Sequence, residues 1–510
     1  MDNPDVEEHY GVSDSFPDPC CEDGKNTPAA PESEQPSTPV QNKVDQVSGE
    51  SESLHSDTPA GEVESKNATR CSEVETVQEK VDGTSSKPTV PSAPKEKQLE
   101  KFLEELGLDH HVEEKLSLST LLRIDKKTIT DEPAKCNSDL PWYFLKKLMM
   151  VNVTARNVKC TSAHESNCED HTDDLDDLDE STHSGDTLNP LDIITALFLC
   201  SDGFVQQEMA LKMSMCQFSV PLLLPNCDTK QCTLMLWAMR DIVKKYRPQS
   251  LSESRGFIEE RIVVSELPMI SFVRLGECSL SKSEILNKLL SSSQQYHDTF
   301  VHRNMECGDS PRRISNGLVE MTWYLPCGNE NMDVFSEPVA VANLRGDIAS
   351  FQTQFDFLCQ TSAAVFVFFE ALNSECELLT NQNHKAQIFL VGNRQSKDFK
   401  LDAVKKVATK LSLKKSNILL KTKHINDANF VKDLQEKVSN AFENTKVKRG
   451  IEKMADVAHE HGICVDEDSP ECQTAKKNAD AITAEIQDIL KYKEANMEGP
   501  YSLGERRIAT

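Results

Sequence analysis

No apolar run in this 510-residue chain approaches the ~20 residues that a membrane-spanning helix needs. The longest, such as Ile193–Cys200 and Ala363–Phe369, suit buried strands or short core helices. Positive charge is scarce too: 56 Lys and Arg stand against 83 Asp and Glu, a formal net charge of −27. Nucleic acids and membrane surfaces are themselves negative, so this balance argues against either as a general partner, as the short apolar runs argue against membrane insertion. The opening MDNPDVEEHY is acidic and polar, unlike a secretory or mitochondrial presequence, and no lipidation motif stands at either end. The 17 cysteines are odd in number and scattered. They point to a reducing compartment, cytosol or nucleus, rather than a disulfide scaffold. Paired catalytic carboxylates and a G-x-S-x-G elbow are missing, and no local signature singles out a cysteine nucleophile.

What is present is uneven along the chain, whose length suggests two or three domains. Residues 1–96 are rich in Ser, Pro, Glu, Asp and Thr, an acidic composition expected to stay disordered because it cannot bury enough apolar surface. A helical module is expected over 97–159. Phe102, Leu103, Leu106 and Leu108 begin an apolar stripe that Leu116, Leu118, Leu121 and Leu122 continue. After Pro133, a second stripe holds Leu140, Trp142, Phe144, Leu145, Leu148 and Met149. Residues 160–187 form an acidic linker whose like charges repel and stay solvated; His164, Cys168, Asp170 and His171 fit no metal spacing well. Residues 188–256 read as a helical region packing on the next domain, with Asn189 as cap and Pro190 in the first turn. Met209, Met213 and Met215 are expected in its core, and Leu234, Leu236, Trp237, Met239, Ile242 and Val243 on another amphipathic helix. Residues 446–510 read as a helical C-terminal segment and tail, with a helix over Ala481–Tyr492.

Between 257 and 445 the texture changes to short β-branched and aromatic runs separated by helical stretches. The runs are Ile262–Val264, Ile270–Leu275, Leu318–Tyr324, Val339–Leu344, Ala364–Phe369, Ile388–Val391 and Ile418–Leu420. This alternation predicts an α/β fold with a mainly parallel sheet. The loop Gly276-Glu277-Cys278-Ser279-Leu280-Ser281-Lys282-Ser283 has the spacing of a phosphate-binding loop, G-x-x-x-x-G-K-[S/T], with Ser281 in place of the second glycine. An intact loop cradles phosphates with backbone N–H groups, its lysine reaches the outer phosphates, and its hydroxyl holds magnesium. Lys282 and Ser283 remain, but Ser281 puts a Cβ where backbone must approach a phosphate. Asn343-Leu344-Arg345-Gly346 occupies the D-x-x-G station, where Asn343 lacks the charge that complements magnesium. Asn393-Arg394-Gln395-Ser396 occupies the [N/T]-K-x-D station, where Ser396 cannot make the aspartate's paired bond to guanine, and Asp398 falls two residues late. The expected fold class is thus a degenerate Ras-like P-loop NTPase-type α/β domain over 257–445. Its candidate nucleotide-binding residues are Gly276, Ser281, Lys282, Ser283, Asn343, Gly346, Asn393 and Ser396. No catalytic residue and no metal ligand are assigned, apart from Ser283 if a magnesium nucleotide binds.

Two other constellations have bland and functional readings. His459, His461, Cys464 and Cys472 lack a strong zinc spacing and fit a solvated helix end. Lys405, Lys406, Lys410, Lys414, Lys415, Lys421 and Lys423 read as a solvated helix face or as a surface for an acidic partner, this chain's N-terminal tail included.

The strings LDIITALFLCSDGFVQQEMALKMSMCQFSVPLLLPN, SFVRLGECSLSKSEILNKLL and FLVGNRQSKD resemble the family of up-regulator of cell proliferation and the interferon-induced very large GTPases, over about residues 97–495. The resemblance implies a region upstream of a separate, larger GTP-binding domain, a cytoplasmic or nuclear protein, a link to cell proliferation or innate immunity, and G domains that often pair, so that self-association is among the expectations. No second phosphate loop occurs before Thr510, so a working GTPase domain of that kind is expected to be absent from this sequence. The leading expectation is a non-catalytic interaction or regulatory protein on a pseudo-GTPase scaffold, with no cofactor and with protein partners. The alternatives are a GTP-binding switch or weak GTPase using GTP with Mg, and an adaptor acting through its helical regions.

Overall fold

Three phenylalanines stand in one row at the centre of the structure. Phe272, Phe366 and Phe389 are register partners on neighbouring parallel strands, with ring centroids 5.1 and 4.5 Å apart. The computed structural model that carries them describes residues 97–124, 132–160, 187–246, 259–291, 296–329, 332–372, 376–380, 384–443, 445, 447–484 and 486. All belong to one compact unit within Pro91–Thr510. The expectations for 1–96 and for most of the acidic linker, including His164, Cys168, Asp170 and His171, lie outside the described residues.

The strands are β1 (Val220–Pro225), β2 (Cys232–Leu234), β3 (Lys245–Tyr246), β4 (Glu260–Arg261), β5 (Met269–Leu275), β6 (Val319–Tyr324), β7 (Val339–Leu344), β8 (Ala364–Phe369), β9 (Gln387–Asn393), β10 (Ile418–Lys421) and β11 (Cys464–Val465). Nine of them form one sheet in the order β10-β9-β8-β5-β7-β6-β1-β2-β11; β3 and β4 pair separately. From β10 to β7 the strands are parallel. β6 and β1 then run antiparallel to their neighbours. This mixed α/β sheet, with helices on its faces, is compatible with a P-loop NTPase-like fold.

Both faces of the parallel part are apolar, with strict period two. Ile270, Phe272, Phe366, Phe368, Phe389 and Val391 share one cluster with the helices Lys282–Leu290 and Asp427–Glu443. Met269, Val273, Val365, Val367 and Leu390 share the other with Gln352–Thr361 and Leu401–Lys410. Such near-continuous apolar runs are what made these strands visible in the sequence.

The N-terminal helices Gln98–Glu105 and Leu140–Met149 join the second cluster through Phe102, Leu103, Phe144, Leu145 and Leu148. Trp142, expected on the apolar stripe, is 38% exposed and meets His111 edge-on. Asn189 caps the helix Pro190–Cys200 by accepting the Leu191 N–H at 3.1 Å. Within that helix the fully buried Asp192 accepts the N–H groups of Arg313, Ile314 and Ser315 at 2.7, 3.1 and 2.8 Å.

Several local expectations are corrected. Residues 188–256 are not wholly helical: β1 and β2 extend the sheet. In VPLLLP the prolines oppose a helix, and the register shift between Pro221 and Leu223 is the kind of irregularity that accommodates a residue without an N–H. The amphipathic helix expected through Leu234 and Val243 is only Leu236–Met239, with Leu234 in β2 and Val243 62% exposed. Met209 and Met213 are buried, but Met215 ends its helix 53% exposed. The chain turns at Ile262–Val264, one residue after β4. Near the C-terminus the helix spans Pro470–Ala484, and the rest of the expected Ala481–Tyr492 segment lies outside the described residues except Ile486.

The segment after 445 also contributes a strand, β11, parallel to β2. Asp466, next in sequence, accepts the N–H groups of Trp237 and Ala238 at 2.8 and 3.1 Å at the start of the Leu236–Met239 helix. Beside it Arg240 bridges Glu467 and, at 2.8 Å, Glu452.

Two outcomes are expected. Phe366→Ala should lower the unfolding free energy by about 3–5 kcal/mol in a urea titration, whereas Phe204→Ala, at a side chain 61% exposed, should stay within ~0.5 kcal/mol. Burial pushes the Asp466 carboxyl up to about 6, against the pull of its backbone N–H partners. An unfolded aspartate titrates near ~3.9, so the folded chain holds the extra proton between those values. This contribution to stability is therefore present at low pH and is lost as pH rises through about 6. Denaturation midpoints from about pH 4 to 7 should show Asp466→Asn gaining on the natural chain as pH rises; a constant difference would contradict the assignment.

Candidate functional site

The loop after β5 opens at Gly276, whose φ of +66° favours glycine. Its N–H donates to Asp347 Oδ1 at 3.0 Å. At the tip, the Ser279 N–H and hydroxyl both donate to Glu370, just past β8. Ser281 then stands at the N-cap of Lys282–Leu290 without a side-chain capping bond. Apolar Ile285, Leu286 and Leu289 bury this helix under the sheet and carry Lys282 and Ser283 inward.

Lys282 is 8% exposed. Its ammonium donates to Asn343 Oδ1, to the Leu344 carbonyl at 2.9 Å and to the Phe272 carbonyl at 3.3 Å. Burial, and then the neighbouring Arg345, push it well below the ordinary lysine range, with Glu320 opposing. Ser283 Oγ accepts two N–H donors, Arg345 Nη1 at 2.7 Å and Asn343 Nδ2 at 3.2 Å. Arg345 Nη1 also meets the Val301 carbonyl at 2.9 Å, and its Nε is ion-paired with Glu320. Glu320, on β6, is the register partner of Asn343 on β7. Its other oxygen accepts the Ser219 hydroxyl at 2.8 Å. Buried charges of this kind persist only when paired and hydrogen-bonded.

The network extends to the turn after the helix Leu140–Met149, because Ser219 also donates to the Thr299 carbonyl at 3.1 Å. Arg156, over the Phe218 ring at 3.8 Å, donates to the Thr299 carbonyl at 2.9 Å. Burial pushes its guanidinium down to about 10, partly offset by Glu320.

The third station closes on the loop tip. Asn393 Nδ2 donates to Ser279 Oγ at 2.7 Å, and its Oδ1 accepts the Gln395 N–H at 3.1 Å. Burial alone would raise the Glu370 carboxyl, but bonds from Ser279, Ser396 and Asn393 hold it below the usual range. Asp398 is exposed, and its N–H donates to Ser396 Oγ at 3.3 Å. Gly346, at φ +90°, lies where an added Cβ would meet the Phe351 ring at 2.6 Å. Beside the loop, Ser279, Ser281, Lys288, Arg303, Lys421 and Phe430 line a cleft of about 110 Å³.

Five of the eight residues proposed from sequence therefore fall into two connected groups. Lys282, Ser283 and Asn343 share the buried network, and Asn393 and Ser396 join the loop tip through Glu370. Gly276 and Gly346 shape the backbone at the two ends of Asp347, while Ser281 starts the helix without a side-chain capping bond. Glu320, Arg345, Asp347 and Glu370 were not proposed. Glu320 and Arg345 did leave a trace, as charged residues inside or beside the apolar runs LVEMTWYL and VAVANLRG. Elsewhere, His459 pairs with Asp468 at 2.7 Å, and His461 Nδ1 meets the Val457 carbonyl at 3.0 Å. No helix among the described residues is long and apolar enough to cross a membrane.

Comparison with known proteins shows what the chain is similar to. The up-regulator of cell proliferation-like domain matches residues 188–483, and the up-regulator of cell proliferation-like N-terminal domain matches 99–177. Up-regulator of cell proliferation from Homo sapiens is 36% identical over 426 residues, covering 79% of this chain and 46% of that protein. Caspase recruitment domain-containing protein 6 from Homo sapiens is 38% identical over 65% of this chain and 32% of its own length. Interferon-induced very large GTPase 1 from Homo sapiens is 29% identical over 75% of this chain and 16% of its own length. The chain thus spans about half the length, or less, of the curated relatives it matches. With a family domain over more than half its residues, the chain belongs to the up-regulator of cell proliferation family.

Proposed function

We propose that this chain is a non-catalytic interaction or regulatory protein built on a Ras-like pseudo-GTPase scaffold. The observation that carries this reading is the double hold on Ser283 Oγ by Arg345 and Asn343. In a working site that hydroxyl is a magnesium ligand. Here a guanidinium nitrogen sits 2.7 Å from it. A divalent cation at the same oxygen would face a buried positive charge in a low-dielectric setting, with Asn343 supplying no compensating anion. Lys282 is likewise spent on three oxygens of β5 and β7. On this reading the donor set does not fit a magnesium-bound triphosphate.

Further support comes from the strand order β10-β9-β8-β5-β7-β6, with β6 antiparallel, which is the order expected of a Ras-like sheet. The cleft beside the loop, about 110 Å³, is well under the ~300–1,000 Å³ of drug-sized ligand sites. The activity in the name of the very large GTPase relative belongs to that protein. The proposed role is cytoplasmic or nuclear, linked to proliferation or interferon-induced immunity, and exerted on protein partners.

A second reading, an adaptor working through the N-terminal helical region, is favoured by Leu122, Ile124, Met150 and Val153, which are 64–82% exposed there. Replacing these four by Ser should abolish partner capture if that region is the contact and leave it intact if the sheet domain is.

Two tests address the main reading. A micromolar site would gain ~4 kcal/mol of thermal stability from about 1 mM Mg-GTP. We expect no such gain and no phosphate release above background. A gain that vanishes in Lys282→Ala would falsify the proposal. Separately, Glu320→Gln should destabilise the fold by about 3–5 kcal/mol by stranding Arg345, and adding Arg345→Met should recover part of that loss. Equal destabilisation of the single and double variants would show that the pair is not coupled.

A further inference from the structure

Residues 394–423 hold ten lysines and arginines against two aspartates, in a chain of net charge −27. The fold gathers part of this stretch into one face, while Lys421 is buried against Phe430. Ala403, Val404, Val407 and Ala408 pack inward from the helix Leu401–Lys410, which leaves Lys405, Lys406 and Lys410 outward. Exposed Lys414 and Lys415 continue the row to β10, the edge strand of the sheet. Among the described residues, the ion pairs of this stretch are Lys405–Asp402 at 3.4 Å and Lys421–Asp427. Both are local and leave most of the positive charge uncompensated.

We propose that this basic face is the docking surface for the chain's own acidic segment 161–186, which lies outside the described residues. That segment carries ten Asp and Glu and no Lys or Arg in 26 residues. The other acidic part of the chain, 1–96, is far more dilute, with 21 acidic and 7 basic residues. The 161–186 segment is also tethered at both ends, at Cys160 and Thr187, so its local concentration at the face is high. Its reach suffices. The helix that follows it, Pro190–Cys200, packs against β1, and six strand spacings of ~4.8 Å separate β1 from β10, about 29 Å. A 26-residue segment looping out and back extends to about 40 Å. The pairing rests on charge and tether alone and is independent of whether the loop at 276–283 takes a nucleotide.

Carbodiimide coupling of the full chain, which joins Lys to Asp or Glu at zero length, tests this by mass spectrometry of the digest. Links between Lys405–Lys415 and residues 161–186 are expected within one copy, shown by mixing isotope-labelled and unlabelled protein. They should fall to background at about 1 M salt, where the screening length is ~3 Å. They should also be lost when Asp173, Asp174, Asp176, Asp177 and Asp179 become Asn, a change outside the described residues. The proposal is overturned if these lysines couple instead to residues 1–96 or to a second copy, if the links survive high salt, or if other lysines couple while these do not.

Discussion

A carboxylate only 3% exposed, Glu320, holds the loop region together. Two buried basic groups, Lys282 and Arg345, share its neighbourhood, and their desolvation is tolerable only while it remains in place. Its position is set by backbone pairing, because β6 must lie in register with β7 for Glu320 to stand opposite Asn343. β1 contributes as well: it pairs with β6, and the residue just before it, Ser219, bonds the second carboxylate oxygen. The strands added beyond β6 are therefore part of the electrostatics of the loop and not decoration on the sheet edge.

The parallel strands were legible because each is buried on both sides, and Val, Ile and Phe in unbroken runs have few other places to go. β1 and β2 were missed for the opposite reason. VPLLLP contains two prolines, and CTL is three residues long, so neither offers periodicity to read. The three loops singled out in the sequence were legible by spacing, but the partners of their side chains were not. Glu370 meets Ser279 across 91 residues, and Arg345 meets Ser283 across 62. Such contacts follow from strand order, which one sequence does not print. Asn343 illustrates the gap: its missing charge could be read from the sequence, whereas the guanidinium two residues on that takes its place beside Ser283 could not.

The family divides the chain between 177 and 188, but the packing does not respect that division. Phe102, Phe144 and Leu148 share a cluster with Ile193, Leu197 and the sheet face behind Val365. Arg313 lies over the Phe102 ring at 4.4 Å and pairs with Glu105 at 2.6 Å. Arg156 carries the same linkage to the loop region. The N-terminal helices and the sheet thus share one packed body, in which Arg156 and Ser219 both donate to the Thr299 carbonyl and Ser219 also donates to Glu320.

The nine-stranded sheet ends in β10, four residues long, and β11, two residues long. A sheet margin is a row of unpaired amides and carbonyls, and a long flat one can recruit further chains strand by strand. Here the six-residue β6, which would be a margin without the added strands, is sealed by β1. Among the described residues the margins that remain are short, and lysines crowd one of them. Short, lysine-lined margins of this kind disfavour backbone pairing between copies of a wide sheet rich in phenylalanine.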